Sequence, residues 1–154
     1  MEQAADGANQ QVLVEVPSIT VTAAFDSSEE IAAARDLART FLTDLQAIHG
    51  LPVSERVMGT VQLVVSELVT NARKYAPGPC ELTLHATGNA VNVTLWDSEP
   101  ALPIARTADC GRVGQHGLEI VLAVSEDFTV HREPVGKRVT AAITLADEPD
   151  SSHR

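Results

Sequence analysis

The run Pro77-Gly78-Pro79 constrains the fold more than any other stretch of this chain. Proline removes a backbone donor and clashes with the preceding turn, so no helix passes through it. Before this run, Val57, Val61, Val64, Leu68 and Ala72 recur at the spacing of one helix face. After it, Leu82, Leu84 and Ala86, then Val91, Val93 and Leu95, recur at every second position. Gly88-Asn89 between them is a turn signal, so the second region is a hairpin with one buried face. A long helix feeding a half-buried hairpin calls for a two-layer arrangement in which helices cover one face of a sheet.

The flanking segments extend this pattern. Val12, Val14 and Val16, then Ile19, Val21 and Ala23, alternate up to Phe25, with Pro17 between them, which predicts an edge strand or two short pieces. Ser27 and Glu30 fit a capping box. Ile31, Ala34, Leu37, Phe41, Leu45 and Ile48 then mark a long helix that stops at Gly50. Ser54 is the expected N-cap of the next helix. Beyond the hairpin, Ser98 to Arg112 has no period and contains Pro100 and Pro103, as lid or binding loops do. Leu118, Ile120, Val121 and Val124 open a short helix. Phe128 and Val130 form a strand, Glu133 to Lys137 a turn, and Val139, Ala141, Ile143 and Leu145 a last strand. The expected fold is α/β (α+β), a two-layer sandwich with a mixed, mostly antiparallel sheet. The expected boundaries are a flexible segment over 1–18, one domain over 19–146 and a flexible tail over 147–154.

Composition narrows the function. The 154 residues suffice for one core, and 44% hydrophobic content argues against disorder. No apolar run reaches the roughly 18 residues of a membrane span. The N-terminus has no secretory pattern, and Cys80 and Cys110 lie in no metal-type pair, so a reduced, cytoplasmic protein is expected. A net charge of −10 argues against direct binding to nucleic acid.

Three stretches carry chemistry. Glu67 and Asn71 stand four residues apart, so their side chains share one helix face. A carboxylate can take a proton, and an amide oxygen suits Mg²⁺; such a pair also occurs on solvated helix faces. Asp97 continues the parity of Val91, Val93 and Leu95. Either the strand ends at Trp96 and Asp97 begins a turn, or Asp97 faces inward and accepts a hydrogen bond from a ligand. Gly111, Gly114 and Gly117 approach the short helix, which gives close backbone access and free N–H groups, a phosphate site by mechanism. Arg73 and Lys74 complement the end of their helix, with phosphate contact by Lys74 as the other reading.

In order and spacing, ELVTNARKYA from Glu67, the stretch at Asp97, and GQHGLEIV from Gly114 resemble the GHKL superfamily of ATP-binding domains with the Bergerat fold. The similarity covers roughly residues 25–145. Within the superfamily the chain looks closest to small bacterial anti-sigma-factor serine/threonine kinases. The resemblance implies ATP and Mg²⁺ as cofactors. It implies that Glu67 activates the attacking hydroxyl, Asn71 binds Mg²⁺ and Asp97 accepts from the adenine amino group. Gly114, Gly117 and Leu118 would form the phosphate end, with Lys74 near phosphate. It further implies an anti-sigma antagonist or a sigma factor as partner, and a homodimer. One departure stands out: the superfamily's D-x-G-x-G box reads Asp97-Ser98-Glu99-Pro100-Ala101 here, with both glycines replaced. That favours the alternative function, an interaction module with little or no kinase turnover.

Overall fold

The computed structural model describes residues 18–25, 31–76, 78–99 and 117–145. Five strands and three helices follow in the order β1 (Ser18–Phe25), α1 (Ile31–Ala47), α2 (Glu55–Tyr75), β2 (Cys80–Thr87), β3 (Ala90–Asp97), α3 (Gly117–Val124), β4 (Asp127–Arg132) and β5 (Lys137–Thr144). The sheet order is β1-β2-β3-β5-β4. Every pairing is antiparallel, so the expected parallel component is not found among the described residues. A hairpin needs no crossover, and both β2–β3 and β4–β5 are hairpins. The Ser27–Glu30 capping box, the Val12–Val16 run, the lid over 100–112, Gly111 and Gly114 lie outside the described residues.

The local signals act as their chemistry requires. Gly50 adopts φ 67°, the left-handed conformation that ends a helix, and Leu51 N–H reaches back to Leu45 O at 2.9 Å at the end of α1. Ser54 Oγ accepts from Val57 N–H at 3.2 Å and starts α2. Gly88 turns the β2–β3 hairpin with φ 62°, while Asn89 keeps φ out of the positive region, as a type II′ turn requires.

The core forms between the helices and one face of the sheet. Phe41, Leu42 and Leu45 of α1 and Val57, Val61, Val64, Val65 and Leu68 of α2 meet Leu82, Leu84, Val91, Val93, Val139 and Ala141. The other sheet face carries one threonine from each strand in a single row: Thr22, Thr83, Thr94, Thr140 and Thr129 are successive partners in register. Hydroxyl pairs within it, Thr22–Thr83 at 3.1 Å and Thr94–Thr140 at 3.0 Å, couple the strands without an apolar surface. In the neighbouring row, half-buried His85 bonds to Thr20 through Nδ1 at 2.7 Å.

Candidate functional site

The inward-facing residues at one end of the sheet form a last row that is polar where the rows above it are apolar. Phe25, Cys80, Asp97, Lys137 and Arg132 are register partners in turn across β1, β2, β3, β5 and β4. The strand therefore persists to Asp97, which is only 4% exposed, in phase with Val91, Val93 and Leu95. Lys137, 6% exposed, holds the same phase with Val139 and Ala141 on β5. A buried charge is tolerated only when it is paired and hydrogen-bonded. Here Lys137 Nζ donates to Asp97 Oδ1 at 3.0 Å and to the backbone carbonyl of Glu99 at 3.0 Å. Asp97 Oδ1 also accepts from Glu99 N–H at 2.9 Å, closing an Asx-turn after β3.

Gly136 makes the pairing possible. It takes φ 81°, and a Cβ there would fall well inside contact distance of the Asp97 carbonyl oxygen and 2.7 Å from Ser98 Cα. The β4–β5 turn can press against the end of β3 only with glycine at this position. Lys137, the next residue, is thereby set directly opposite Asp97.

The C-terminal turns of α2 reach the same end, because the chain passes from Tyr75 to Cys80 within a few residues. Cys80 registers both neighbours. Burial pushes its thiol above the ordinary value of 9.0, the Asp97 charge adds to this, and Arg73 opposes it. A folded-state value above the unfolded one means that the unfolded chain releases its proton first as pH rises. Stability from this group is thus complete below about pH 9 and declines above it. Urea unfolding between about pH 8 and about pH 10 should show this decline, and Cys80→Ala should flatten it.

Glu67 and Asn71 are half-buried on α2, one turn apart. Among the described residues, no hydrogen-bond partner is seen for either side chain. Gly117, the first residue of α3, lies so close to Glu67 that an added Cβ would stand 2.5 Å from Glu67 Oε1. The carboxylate thus abuts a helix N-terminus, where negative charge is favoured. Leu118 behind it is buried. Gly117→Ala should move the flexible Glu67 carboxylate with little change in stability, because alanine's gain over glycine in a helix, about 0.5–1 kcal/mol, offsets the shift. Thermal unfolding combined with a phosphoryl-transfer assay checks this, with the melt unchanged and transfer reduced.

Lys74 is exposed at the end of α2. Arg73, Lys74, Arg132, Lys137 and Arg138, five of the chain's 11 Lys and Arg, gather at this end of an otherwise acidic protein. Asp97, Glu99 and Glu133 stand among them, with Lys137 paired to Asp97 and Arg138 to Glu133. The described residues contain no group of three acidic, histidine or cysteine side chains able to hold a metal ion. Mg²⁺ is commonly held by one or two protein oxygens together with substrate phosphates, and Asn71 fits that mode.

The sequence reading missed Lys137. The signal was present: Lys137 is in phase with Val139, Ala141 and Ile143, just as Asp97 is with Val91, Val93 and Leu95.

Residues 28–143 match the family model of the histidine kinase-like ATPase domain, and the chain belongs to this family, an ATP-binding domain of the GHKL superfamily. The matched span holds Glu67, Asn71, Asp97 and Lys137. No curated protein matches the chain. Among solved structures, it is similar to the histidine kinase domain of a blue-light activated histidine kinase from Erythrobacter litoralis, with TM-score 0.44 and 20% identity over 78% of this chain and 63% of that one. It is also similar to the Acinetobacter baumannii histidine kinase AdeS, with TM-score 0.47 and 14% identity over 91% of this chain and 72% of that one. The chain thus spans less than two thirds of the first of these structures. Among the described residues, no helix is long and apolar enough to cross a membrane.

Proposed function

We propose that this chain is an ATP- and Mg²⁺-dependent serine/threonine protein kinase that acts as an anti-sigma factor and phosphorylates an anti-sigma antagonist. The observation that carries this reading is the placement of Glu67 and Asn71 on one helix face, with the N-terminus of α3 held against Glu67 by Gly117. ATP supplies the phosphoryl group. The Glu67 carboxylate receives the proton of a partner's serine or threonine hydroxyl, a contribution of about 10²–10⁴ in rate. Asn71 ligates Mg²⁺ through its amide oxygen. Gly114, Gly117 and Leu118 admit the phosphates at the start of α3, with Lys74 beside them, and Asp97 faces the adenine. The proposed domain covers residues 19–146, works as a homodimer and resides in the cytoplasm, without contact to nucleic acid or membrane.

The test is transfer of label from γ-labelled Mg·ATP to an anti-sigma antagonist protein. Acid-stable label on serine or threonine is the expected result. Acid-labile label, as on histidine, contradicts it and aligns the chain with histidine kinases.

A second reading is supported by the replaced glycines of the second box. Glu99 is tied down through its N–H by Asp97 and through its carbonyl by Lys137, so this segment is closed on itself. On this reading the chain is an interaction module with little or no turnover.

A further inference from the structure

We propose that Lys137 is an internal competitor for the carboxylate that faces the base, and that it sets the nucleotide affinity of the site. The inference rests on the reading of Asp97 as the adenine acceptor. Lys137 Nζ already makes the bond to Asp97 Oδ1 that an exocyclic amino group would make, at 3.0 Å. Glu99 N–H takes a second position on the same oxygen. The ammonium is a charged donor, and charge-assisted hydrogen bonds are about twice as strong as neutral ones. A neutral amino group therefore loses this competition at Oδ1 and is left with Oδ2, a weaker acceptor because the ion pair already draws on the carboxylate's charge.

Lys137 is also hard to move. Its side chain is 7% exposed and that of Asp97 is 5% exposed, so breaking the pair leaves a cation in a site shielded from water. Its second bond, to the Glu99 carbonyl, holds the segment that follows β3. Gly136 fixes the turn that delivers it. The competitor is thus built into the register of the sheet, with Asp97 and Lys137 as direct partners.

The proposal predicts an effect of unusual sign. ATP is an anion, and removing a cation from its site lowers affinity by Coulomb's law. Competition predicts the opposite: Lys137→Thr, which vacates Asp97 and suits a strand, should bind ATP more tightly than wild type by about tenfold or more. Lys137→Gln, which keeps a neutral donor for Asp97, should gain less, and Lys137→Arg should remain as weak as wild type. Inorganic tripolyphosphate, which has no base, should gain nothing in any variant.

Titration calorimetry with Mg·ATP and with tripolyphosphate on the full chain tests this, with thermal unfolding as the check on folding. Tighter ATP binding by folded Lys137→Thr, with tripolyphosphate unchanged, is the expected result. Wild-type ATP binding as tight as, or tighter than, that of folded Lys137→Thr overturns the competitor and leaves the ATP site standing. No ATP binding by any folded variant overturns both. If Lys137→Thr does not fold, the same criteria apply to Lys137→Gln.

Discussion

Asp97→Ala should destabilise the protein by about 3–5 kcal/mol, the cost of removing one partner from a buried ion pair. The reason is the residue left behind. Lys137 is 6% exposed and lies in the inward row of β5, so its ammonium loses its charged partner without gaining water. Domains of this size are commonly stable by only about 5–15 kcal/mol, so the loss is a large fraction of the total. Asp97→Val combined with Lys137→Met should recover most of it, because replacing both partners by apolar groups is often neutral or stabilising. Urea unfolding of wild type, both single variants and the double variant forms a complete cycle. An Asp97→Ala cost below about 1 kcal/mol would place the pair among solvated surface bridges instead. The cycle also guards a simpler experiment: a loss of ATP binding in an Asp97 variant means little until the variant is shown to fold.

Glu67→Gln should lower phosphoryl transfer by about 10²–10⁴ while leaving Mg·ATP affinity and unfolding close to wild type. Glutamine preserves the size of the side chain beside Gly117 but takes no proton at neutral pH. The side chain is half-buried and has no ion pair among the described residues, so its replacement costs only the charge interaction with the start of α3, about 0.3–1 kcal/mol. Single-turnover kinetics with labelled ATP separate the two effects. A variant that transfers phosphate at the wild-type rate removes Glu67 from the chemistry and favours the interaction module.

The fold was legible because period and punctuation agree along most of the chain. Pro77-Gly78-Pro79, Gly50 and Gly88-Asn89 separate elements whose apolar residues keep one phase, and the described structure follows them. Glu67 and Asn71 were legible because helix geometry alone puts them on one face. Asp97 was only half legible. Its parity pointed inward, but whether the strand continued depended on a partner for its charge. That partner, Lys137, is 40 residues away, and no local pattern links the two. Only the register of β3 with β5, set by the turn at Gly136, brings them together. In sequence Gly117 marks only an opening for phosphate, and the closeness of Glu67 that it permits depends on how α3 packs on α2.

The most direct test of the central claim is to locate nucleotide binding residue by residue. Backbone amide resonances of the isotope-labelled protein, followed by NMR during titration with Mg·ATP, report weak and tight binding alike. Saturable shifts should cluster at Glu67–Tyr75, Asp97–Glu99 and Gly117–Ile120. The cleft of about 240 Å³ between β1 and α1, lined by Ile19, Val21, Leu37, Phe41 and Ile48 at the opposite end of the sheet, should stay unchanged. Shifts confined to that cleft, or no saturable shift, would contradict an ATP site at the Asp97–Lys137 end.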